Sequence, residues 1–311
     1  MILAVDTSCY TTSMIAIDIE SGRQLFELNQ NLAVKPGERG LRQSEGFFQH
    51  VHRLTESFDM LCKQFEAKKI KAVAVSSRPR PVENSYMPVF HAGLLFASNI
   101  ANALNVPLYQ YSHQEGHLMA AICTSELTEV PKRFYGLHLS GGTTEILDVI
   151  SHEDGFEIEL LGGTLDLNFG QLIDRIGVKL GLAFPCGKAL DEFAQINRHN
   201  DSFKVKLGEP LAFNLSGLEN KYLKLIETES IDYCASHIFN TIAEILKKIL
   251  VSMPLNQPII LSGGVSANSI VKEILIRDFK RQPLYFAKPE YARDNALGVA
   301  ELGRIKFLKE Q

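Results

Sequence analysis

The chain has 311 residues, with 32 Lys and Arg, 36 Asp and Glu, and a formal net charge of −4. This balance excludes a protein that binds nucleic acid through bulk positive charge, so any contact with RNA requires a local patch or a partner. Apolar residues make up 45% of the chain and charged residues 22%, which is typical of a soluble globular protein.

The cysteines and the N-terminus indicate the compartment. The 5 cysteines form no CxxC pair, which argues against a disulfide framework and a thiolate zinc site and favours a reducing cytosol. The chain begins with Met-Ile-Leu-Ala-Val before Asp6, and this short apolar run predicts a buried strand rather than a signal peptide. No apolar run approaches the roughly 20 residues that span a bilayer. We therefore expect a cytoplasmic protein that does not associate with membranes.

Short strands and two helices are predicted in the first third of the chain. Strands are expected at 2–5, 13–18, 23–28, 72–76 and 107–110, and helices at 44–68 and 89–104. The first helix rests on apolar residues at helical spacing, such as Val51, Leu54 and Phe58. Each remaining element is a short apolar run or a small-residue stretch bounded by turn residues.

The remainder of the chain repeats this order of elements. Strands are expected at 134–139, 145–150, 156–161, 259–261 and 284–286, and helices at 169–180, 188–197, 218–228, 231–251, 268–279 and 295–308. Three strands followed by helix, strand and helix thus occur twice, without any residue-by-residue repeat. The pattern predicts mainly parallel sheets with helices on both faces. We expect a first lobe of residues 1–110 and 295–311 and a second lobe of residues 111–294.

Three polar turns at strand ends are candidate ligand sites. They span residues 6–12, 140–144 and 262–268, and the last one opens a helix. Backbone N–H groups and hydroxyls in such turns can face an anion, and glycines allow close approach of a ligand. Hairpin turns, and a helix cap at Ser266 or Asn268, account for the same residues without a ligand. The GxxxxGK[ST] and GxGxxG fingerprints of common nucleotide sites do not occur.

Two histidines four residues apart form a candidate metal site. On a helix, His113 and His117 share one face, so both imidazoles could bind one ion. Asp294 is a candidate third ligand, although it could instead cap a helix. Glu115 stands two residues after His113, so the segment is not the HExxH motif of zinc peptidases and a peptidase is not implied.

In chain order these motifs form a recognisable series. It consists of Asp6-Thr7-Ser8-Cys9, His113-x-Glu115-Gly116-His117, Ser140-Gly141-Gly142, Gly170-x-x-x-Asp174, Pro185-x-Gly187, Ser216-Gly217-Leu218, Gly263-Gly264-Val265-Ser266-Ala267-Asn268 and Asp294-Asn295. Over nearly the whole chain the series resembles the TsaD/Gcp family. Its members, once called O-sialoglycoprotein endopeptidases, are understood as tRNA threonylcarbamoyladenosine transferases. The resemblance implies an α/β fold of the duplicated ASKHA (actin/Hsp70/sugar-kinase-like) type, with two lobes and a central cleft.

The resemblance also implies a site and a reaction. His113, His117 and Asp294 would bind iron or zinc, and no catalytic residue is assigned. The substrate and nucleotide site would contain His138, Leu139, Ser140, Gly141, Gly142, Asp174, Gly187, Asp191 and Asn268. A threonylcarbamoyl group would pass from threonylcarbamoyl-adenylate to N6 of an adenosine next to the tRNA anticodon, and AMP would leave. A paralogous dimerising subunit and a small ATPase would be the partners.

Several positions depart from the usual family pattern. Other residues stand where the family usually has acids or a histidine, at Tyr10, Thr11, Thr143, Leu167 and Gln171. The usual Gly-Pro-Gly loop is Arg78-Pro79-Arg80, which is either a new anion site or a solvated loop. These departures leave two further hypotheses open. One is a carbamoyltransferase that uses another acceptor, and the other is a non-catalytic binding or scaffold protein of a tRNA-modification complex.

Overall fold

The computed structural model describes residues 1–8, 10–34, 41–208, 211–254 and 256–311, so Cys9 of the first polar turn lies outside the described residues. The internal contacts divide the chain into two units. Unit 1 consists of Met1–Val130, Ser151–Glu157 and Asp294–Gln311, and unit 2 of Pro131–Ile150 and Ile158–Arg293.

Strands and helices alternate along the described chain. The strands are β1 Ile2–Asp6, β2 Thr11–Ile17, β3 Gln24–Asn31, β4 Ala72–Arg78, β5 Leu108–Ser112, β6 Arg133–Leu139, β7 Thr144–His152, β8 Gly155–Thr164, β9 Ala212–Phe213, β10 Ile259–Ser262 and β11 Leu284–Phe286. The helices are α1 Gln43–Gln64, α2 Pro88–Leu104, α3 His113–Thr124, α4 Phe169–Lys179, α5 Gly187–Ala194, α6 Ser216–Leu225, α7 Ile231–Ser252, α8 Ser269–Asp278 and α9 Leu297–Lys309. Among the helices described, none is long and apolar enough to cross a membrane.

Unit 1 is built on a sheet with the strand order β3-β2-β1-β4-β5. Strand β1 is antiparallel to β2 and parallel to β4, and β4 is parallel to β5. Both β1 and β2 are buried along their whole length, which explains the continuous apolar run at the start of the chain. On one side of the sheet, Leu54 and Leu61 of α1 join Val5 and Met14 in the core.

Unit 2 contains the second sheet, with the strand order β11-β10-β6-β7-β8-β9. Strand β6 is antiparallel to β7 and parallel to β10, which is in turn parallel to β11. The order β8-β7-β6-β10-β11 therefore repeats the order of the first sheet, and β9 is added at one edge. Phe169, Tyr222 and Phe239 are among the largest side chains buried in its core.

The structure agrees with the doubled order predicted from sequence and adds two elements to it. Strand β9 has only two residues, too few to give a periodic signal. Helix α3 was expected only as the carrier of two histidines, and the predicted lobe boundary at residue 110 separates it from the first lobe. The contacts instead group α3 with unit 1, because it packs on α9 with glycines at the crossing. The lobe division read from the sequence otherwise stays a prediction.

Candidate functional site

Helix α3 is fixed at its first turn by a capping box. The Ser112 hydroxyl accepts a hydrogen bond from Glu115 N at 3.2 Å, and Glu115 Oε2 accepts one from Ser112 N at 2.7 Å. Such reciprocal bonds satisfy N–H groups that a helix start leaves without partners. The helix therefore begins at His113, which sets His113 and His117 one turn apart with their ring centroids separated by 4.3 Å.

The two imidazoles meet the carboxylate of Asp294, which precedes α9. The Nε2 atoms of His113 and His117 each lie 3.4 Å from Asp294 Oδ1. One ligand atom from each residue can be chosen so that all lie within 4.8 Å of one another. Imidazole nitrogen together with carboxylate oxygen suits zinc and iron. The sequence-predicted residues are thus brought together, and their donor set fits one divalent metal ion.

Asp6 at the end of β1 orients the first of these imidazoles. Its Oδ2 lies 2.8 Å from His113 Nδ1 and accepts a hydrogen bond from the Ser76 hydroxyl at 2.5 Å, while its Oδ1 accepts one from Ser8 N at 2.7 Å. A carboxylate behind a metal-binding imidazole fixes the ring and leaves the other nitrogen for the metal. From the sequence, Asp6 belongs to a polar turn that could face an anion. Its role beside His113 could not be predicted, since its contacts with Ser76 and His113 depend on the fold.

The charges in this cluster are strongly coupled. Burial alone lowers the pKa of His113, but the Asp6 and Asp294 carboxylates outweigh it and raise that pKa to about 10. Burial lowers the pKa of His117, and the charge of His113 lowers it further. Burial raises the pKa of Asp294, yet hydrogen bonds from both imidazoles hold it well below its usual range. The site therefore favours a carboxylate beside positive charge, whether that charge is an imidazolium or a metal ion.

Glu115 also attaches a hairpin tip to α3. Its Oε1 accepts a hydrogen bond from the backbone N–H of Phe156 at 3.2 Å, and the side chain is buried. A Cβ atom at Gly155 would overlap this oxygen, and Gly155 has a φ of 134° that disfavours other residues. In the sequence, Glu115 serves only to exclude the zinc-peptidase motif. Its contact with Phe156 could not be predicted, because the two residues are far apart along the chain.

Replacing Glu115 with Ala should lower the free energy of unfolding by about 2 kcal/mol, since it removes half of the capping box and the hydrogen bonds that Ser112 N and Phe156 N donate to this side chain. Chemical denaturation measures this loss. The exposed Glu129→Ala variant is the control and should unfold like the wild type. Equal stability of both variants would show that the capping box does not hold α3.

In unit 2, the loop after β6 lies against the start of α4. Gly170 N donates to Ser140 O at 3.2 Å, and a Cβ atom at Gly170 would lie 2.6 Å from the Cα atom of Gly141. Gly141 and Gly142 are exposed, with open space where their Cβ atoms would be. This backbone can therefore be approached closely by a ligand. The neighbouring His138 and Leu139 are buried in β6.

The glycine-rich turn after β10 packs on the same strand end. Val265 N donates to Leu139 O at 2.9 Å, and Gly263 has a φ of 87° with its missing Cβ directed at that carbonyl. Asn268 caps α8, with its Oδ1 accepting from Val271 N at 2.9 Å. The predicted cap at Asn268 is therefore confirmed. Among the described residues, the buried Nδ2 of Asn268 has no hydrogen-bond partner and remains available to a ligand.

Two acidic residues of unit 2, Asp174 and Asp191, are connected to this turn by hydrogen bonds at and near α5. Asp191 accepts hydrogen bonds from the N–H and the hydroxyl of Ser269, the residue after Asn268, at 3.3 and 2.8 Å. Gly187 lies one helical turn before Asp191, and Asp174 Oδ1 accepts from the preceding Cys186 N at 2.7 Å. The residues predicted to bind substrate or nucleotide thus form one continuous set of contacts in unit 2. Their roles stay predictions.

Asp174 should make stability depend on pH. Burial raises its pKa to about 6, and the hydrogen bond from Cys186 N opposes this only in part. A carboxyl with a raised folded-state pKa stabilises the fold below its unfolded-state pKa, and that contribution is lost as pH rises through 6. The Asp174→Asn variant should be more stable than the wild type by about 1–2 kcal/mol at pH 7, with little difference at pH 4. Thermal unfolding across this range tests the prediction, and an unchanged slope would contradict it.

The positions that depart from the family pattern have identifiable structural contacts. The Thr11 hydroxyl donates to Asn31 Oδ1 at 3.3 Å, Gln171 Oε1 accepts from Asn168 N at 3.1 Å in the cap of α4, and Leu167 is buried in the core. The Tyr10 and Thr143 carbonyls accept from Leu32 N and Ser140 N. Each substituted residue is therefore accommodated by the local fold.

The two arginines of the 78–80 segment differ in exposure. Arg78 is half-buried at the end of β4 and pairs in register with Ser112, the residue before His113. Arg80 is exposed, and its backbone N–H donates to the Ser85 hydroxyl at 3.0 Å. Arg78 is thus the arginine whose backbone lies near the start of α3, the helix that carries the candidate metal ligands.

Comparisons with known proteins show the family of the chain. The family model for TsaD, tRNA N6-adenosine threonylcarbamoyltransferase, matches residues 43–301. The tRNA N6-adenosine threonylcarbamoyltransferase of a Nitratiruptor species is 31% identical over 324 residues, covering 99% of this chain and 94% of that protein.

Solved structures show the fold at low sequence identity. T. kodakarensis HypF is 15% identical with a TM-score of 0.60, covering 99% of this chain and 48% of the HypF chain. The ROK family glucokinase from Streptomyces griseus, in complex with glucose and AMPPNP, is 12% identical with a TM-score of 0.51, covering 96% and 98% of the two chains. The predicted α/β fold of the ASKHA type is confirmed. The chain belongs to the TsaD family of tRNA N6-adenosine threonylcarbamoyltransferases, which are transferases.

Proposed function

We propose that this protein transfers a threonylcarbamoyl group from threonylcarbamoyl-adenylate to N6 of an adenosine next to the tRNA anticodon. The observation that carries the proposal is the meeting of His113, His117 and Asp294 at one point, in a chain that matches the family over most of its length. A family member that had lost the activity would be under no constraint to keep these three side chains together.

Residues of each unit would have a different role in the reaction. His113, His117 and Asp294 would hold a divalent ion, iron or zinc, which when bound acts as a Lewis acid and positions the acyl group. Asp6 holds the ring of His113 in place for that ion. The Ser140–Gly142 backbone, with Asp174, Gly187, Asp191 and Asn268, would hold the adenylate. Gly141 and Gly142 suit this role because nothing occupies the space beside their Cα atoms.

The acceptor and the partners follow from the family and from charge. With a net charge of −4, the chain has no excess of positive charge to hold tRNA by itself. We therefore infer that tRNA is bound together with partner proteins, namely a paralogous dimerising subunit and a small ATPase. We also infer a cytoplasmic location, because the cysteine pattern favours a reducing compartment.

A second candidate function is carbamoyl transfer to a different acceptor. It is favoured by Arg78, a half-buried residue whose backbone pairs in register with the residue preceding His113, at a position where the family usually has glycine. A guanidinium placed there could bind a carboxylate or phosphate of another acceptor. Under this alternative the protein would bind the donor and leave tRNA unmodified.

One assay separates these functions. The purified protein is incubated with threonylcarbamoyl-adenylate and unmodified tRNA, with and without the partner proteins, and the digested tRNA is analysed by mass spectrometry. Threonylcarbamoyladenosine in the wild-type reaction, and none with His113→Ala, is the expected result. Donor binding without modified tRNA would favour the second acceptor, and absence of both metal and donor binding would leave only a scaffold role.

A further inference from the structure

Two buried polar atoms in unit 1 have no hydrogen-bond partner among the described residues. The hydroxyl oxygen of Ser8 and the Nε2 atom of His50 are both inaccessible to solvent and make no hydrogen bond with any residue described. Leaving a buried polar atom unsatisfied costs about 1–3 kcal/mol, so such atoms usually have a ligand or water as partner. Ser8 belongs to the polar turn 6–12 that the sequence marks as a candidate ligand site, whereas nothing in the sequence assigns a function to His50.

Hydrogen bonds connect both residues to strands of the sheet in unit 1. Ser8 donates its backbone N–H to Asp6, the residue that orients His113. His50 Nδ1 lies 2.8 Å from the hydroxyl of Thr12 in β2.

The β2 strand links His50 to Asp294 as well. Ser13, next to Thr12, pairs in register with Asp6, and its hydroxyl accepts a hydrogen bond from Ala296 N at 2.9 Å, two residues after Asp294. Ser8 is therefore bonded to Asp6, and His50 is bonded to strand β2, which pairs with Asp6 and contacts the segment that follows Asp294.

The charges around Ser8 and His50 favour a neutral ligand group over an anionic one. Burial lowers the pKa of His50 to about 4, against the opposing charge of Asp6, so its imidazole is uncharged at neutral pH. Ser8 is also uncharged, and the neighbouring Asp6 carboxylate repels anions. A carboxylate or phosphate oxygen is thus disfavoured, whereas a hydroxyl, carbonyl or N–H group can pair with a hydroxyl or a neutral imidazole.

We propose that Ser8 and His50 form a subsite that hydrogen-bonds a neutral polar group of the acyl donor, with His50 Nε2 as the contacting atom. This inference rests on the proposed function, since it assumes that the acyl group lies at the metal cluster. The neutral groups of a threonylcarbamoyl moiety are its carbamoyl N–H and carbonyl and its side-chain hydroxyl. The Thr12 hydroxyl fixes the His50 ring, and Ser8 supplies the second contact.

Paired substitutions separate a contact with the donor from a structural role. In His50→Asn the amide can replace Nδ1 and keep the bond to Thr12, but nothing remains at the position of Nε2. In His50→Gln the longer side chain can place its amide near the position of Nε2. The control is His52→Ala, an exposed histidine on the same helix.

The measurement is equilibrium binding of a non-hydrolysable sulfamoyl analogue of threonylcarbamoyl-adenylate to each metal-loaded full-length protein, without tRNA. We expect His50→Asn to bind about 10-fold more weakly or worse, His50→Gln to recover most of the affinity, and His52→Ala to match the wild type. Metal content and melting temperature should be unchanged in all four proteins. Ser8→Ala, a smaller change, should weaken binding about 3- to 10-fold even if a His50 variant does not fold.

A second analogue, built from 2-aminobutyrate and so lacking the hydroxyl, identifies the recognised group. If the effect of His50→Asn disappears with this analogue, the subsite binds the hydroxyl, and if it persists, the subsite binds the carbamoyl group. Wild-type affinity in both His50→Asn and Ser8→Ala would overturn the inference and leave a buried water as the partner of these atoms. The proposed function is judged separately, by transfer to tRNA in the wild type alone.

Discussion

Replacing His117 with Ala should abolish stoichiometric metal binding and reduce transfer to background. His117 is buried on α3 with its Nε2 3.4 Å from Asp294 Oδ1, so the variant leaves only one imidazole and one carboxylate. Loss of an outer partner of a metal ligand typically costs roughly 10- to 100-fold in affinity, and loss of the ligand itself should cost more. Metal analysis of the purified protein, followed by the tRNA assay, measures both effects.

The controls for this prediction are within the same unit. His152→Ala removes an exposed histidine and should keep full metal content and activity. Asp294→Asn retains the size of the third ligand and should also lose the metal, which guards against a folding defect in His117→Ala. If both variants hold metal as the wild type does, the cluster is not the metal site.

Replacing Gly298 with Ala should give the largest loss of stability of any single methyl addition in unit 1. An added Cβ would overlap the carbonyl oxygen of Gly116 and lie 2.6 Å from the backbone nitrogen of Ala120, neither of which can move without shifting α3. Overpacking of this kind costs about 3 kcal/mol. Because α9 follows Asp294 and α3 carries both histidines, the shift should also weaken metal binding.

Gly217→Ala is the matched control for this substitution. Gly217 is also helical, but its missing Cβ would meet no atom within 4 Å, so alanine should be neutral or slightly stabilising there. Thermal unfolding and metal titration are measured on both variants. A Gly298→Ala protein with wild-type stability and metal affinity would show that the α3–α9 contact does not set the ligand geometry.

The sequence by itself determined the order of elements and the identity of the ligand candidates. Continuous apolar runs and helical spacing are local signals, so β1, α1 and α7 were predicted within a few residues of their observed bounds. The pair His113 and His117 was found for the same reason, since a spacing of four residues on a helix defines a shared face. Asp294, far along the chain, was a candidate third ligand from its place before a predicted helix, and the family resemblance supported it.

The tertiary structure decided which residues support those candidates. Asp6 orients His113 of α3 from the end of strand β1, and Glu115 reaches the backbone of Phe156. The unpaired atoms of Ser8 and His50 were found only from their burial beside the ligand segments. Contacts between residues distant in sequence leave no periodic pattern, because each depends on how strands and helices pack rather than on local spacing. The sequence therefore supplied the candidate metal ligands, and the packing revealed the residues that hold them in place.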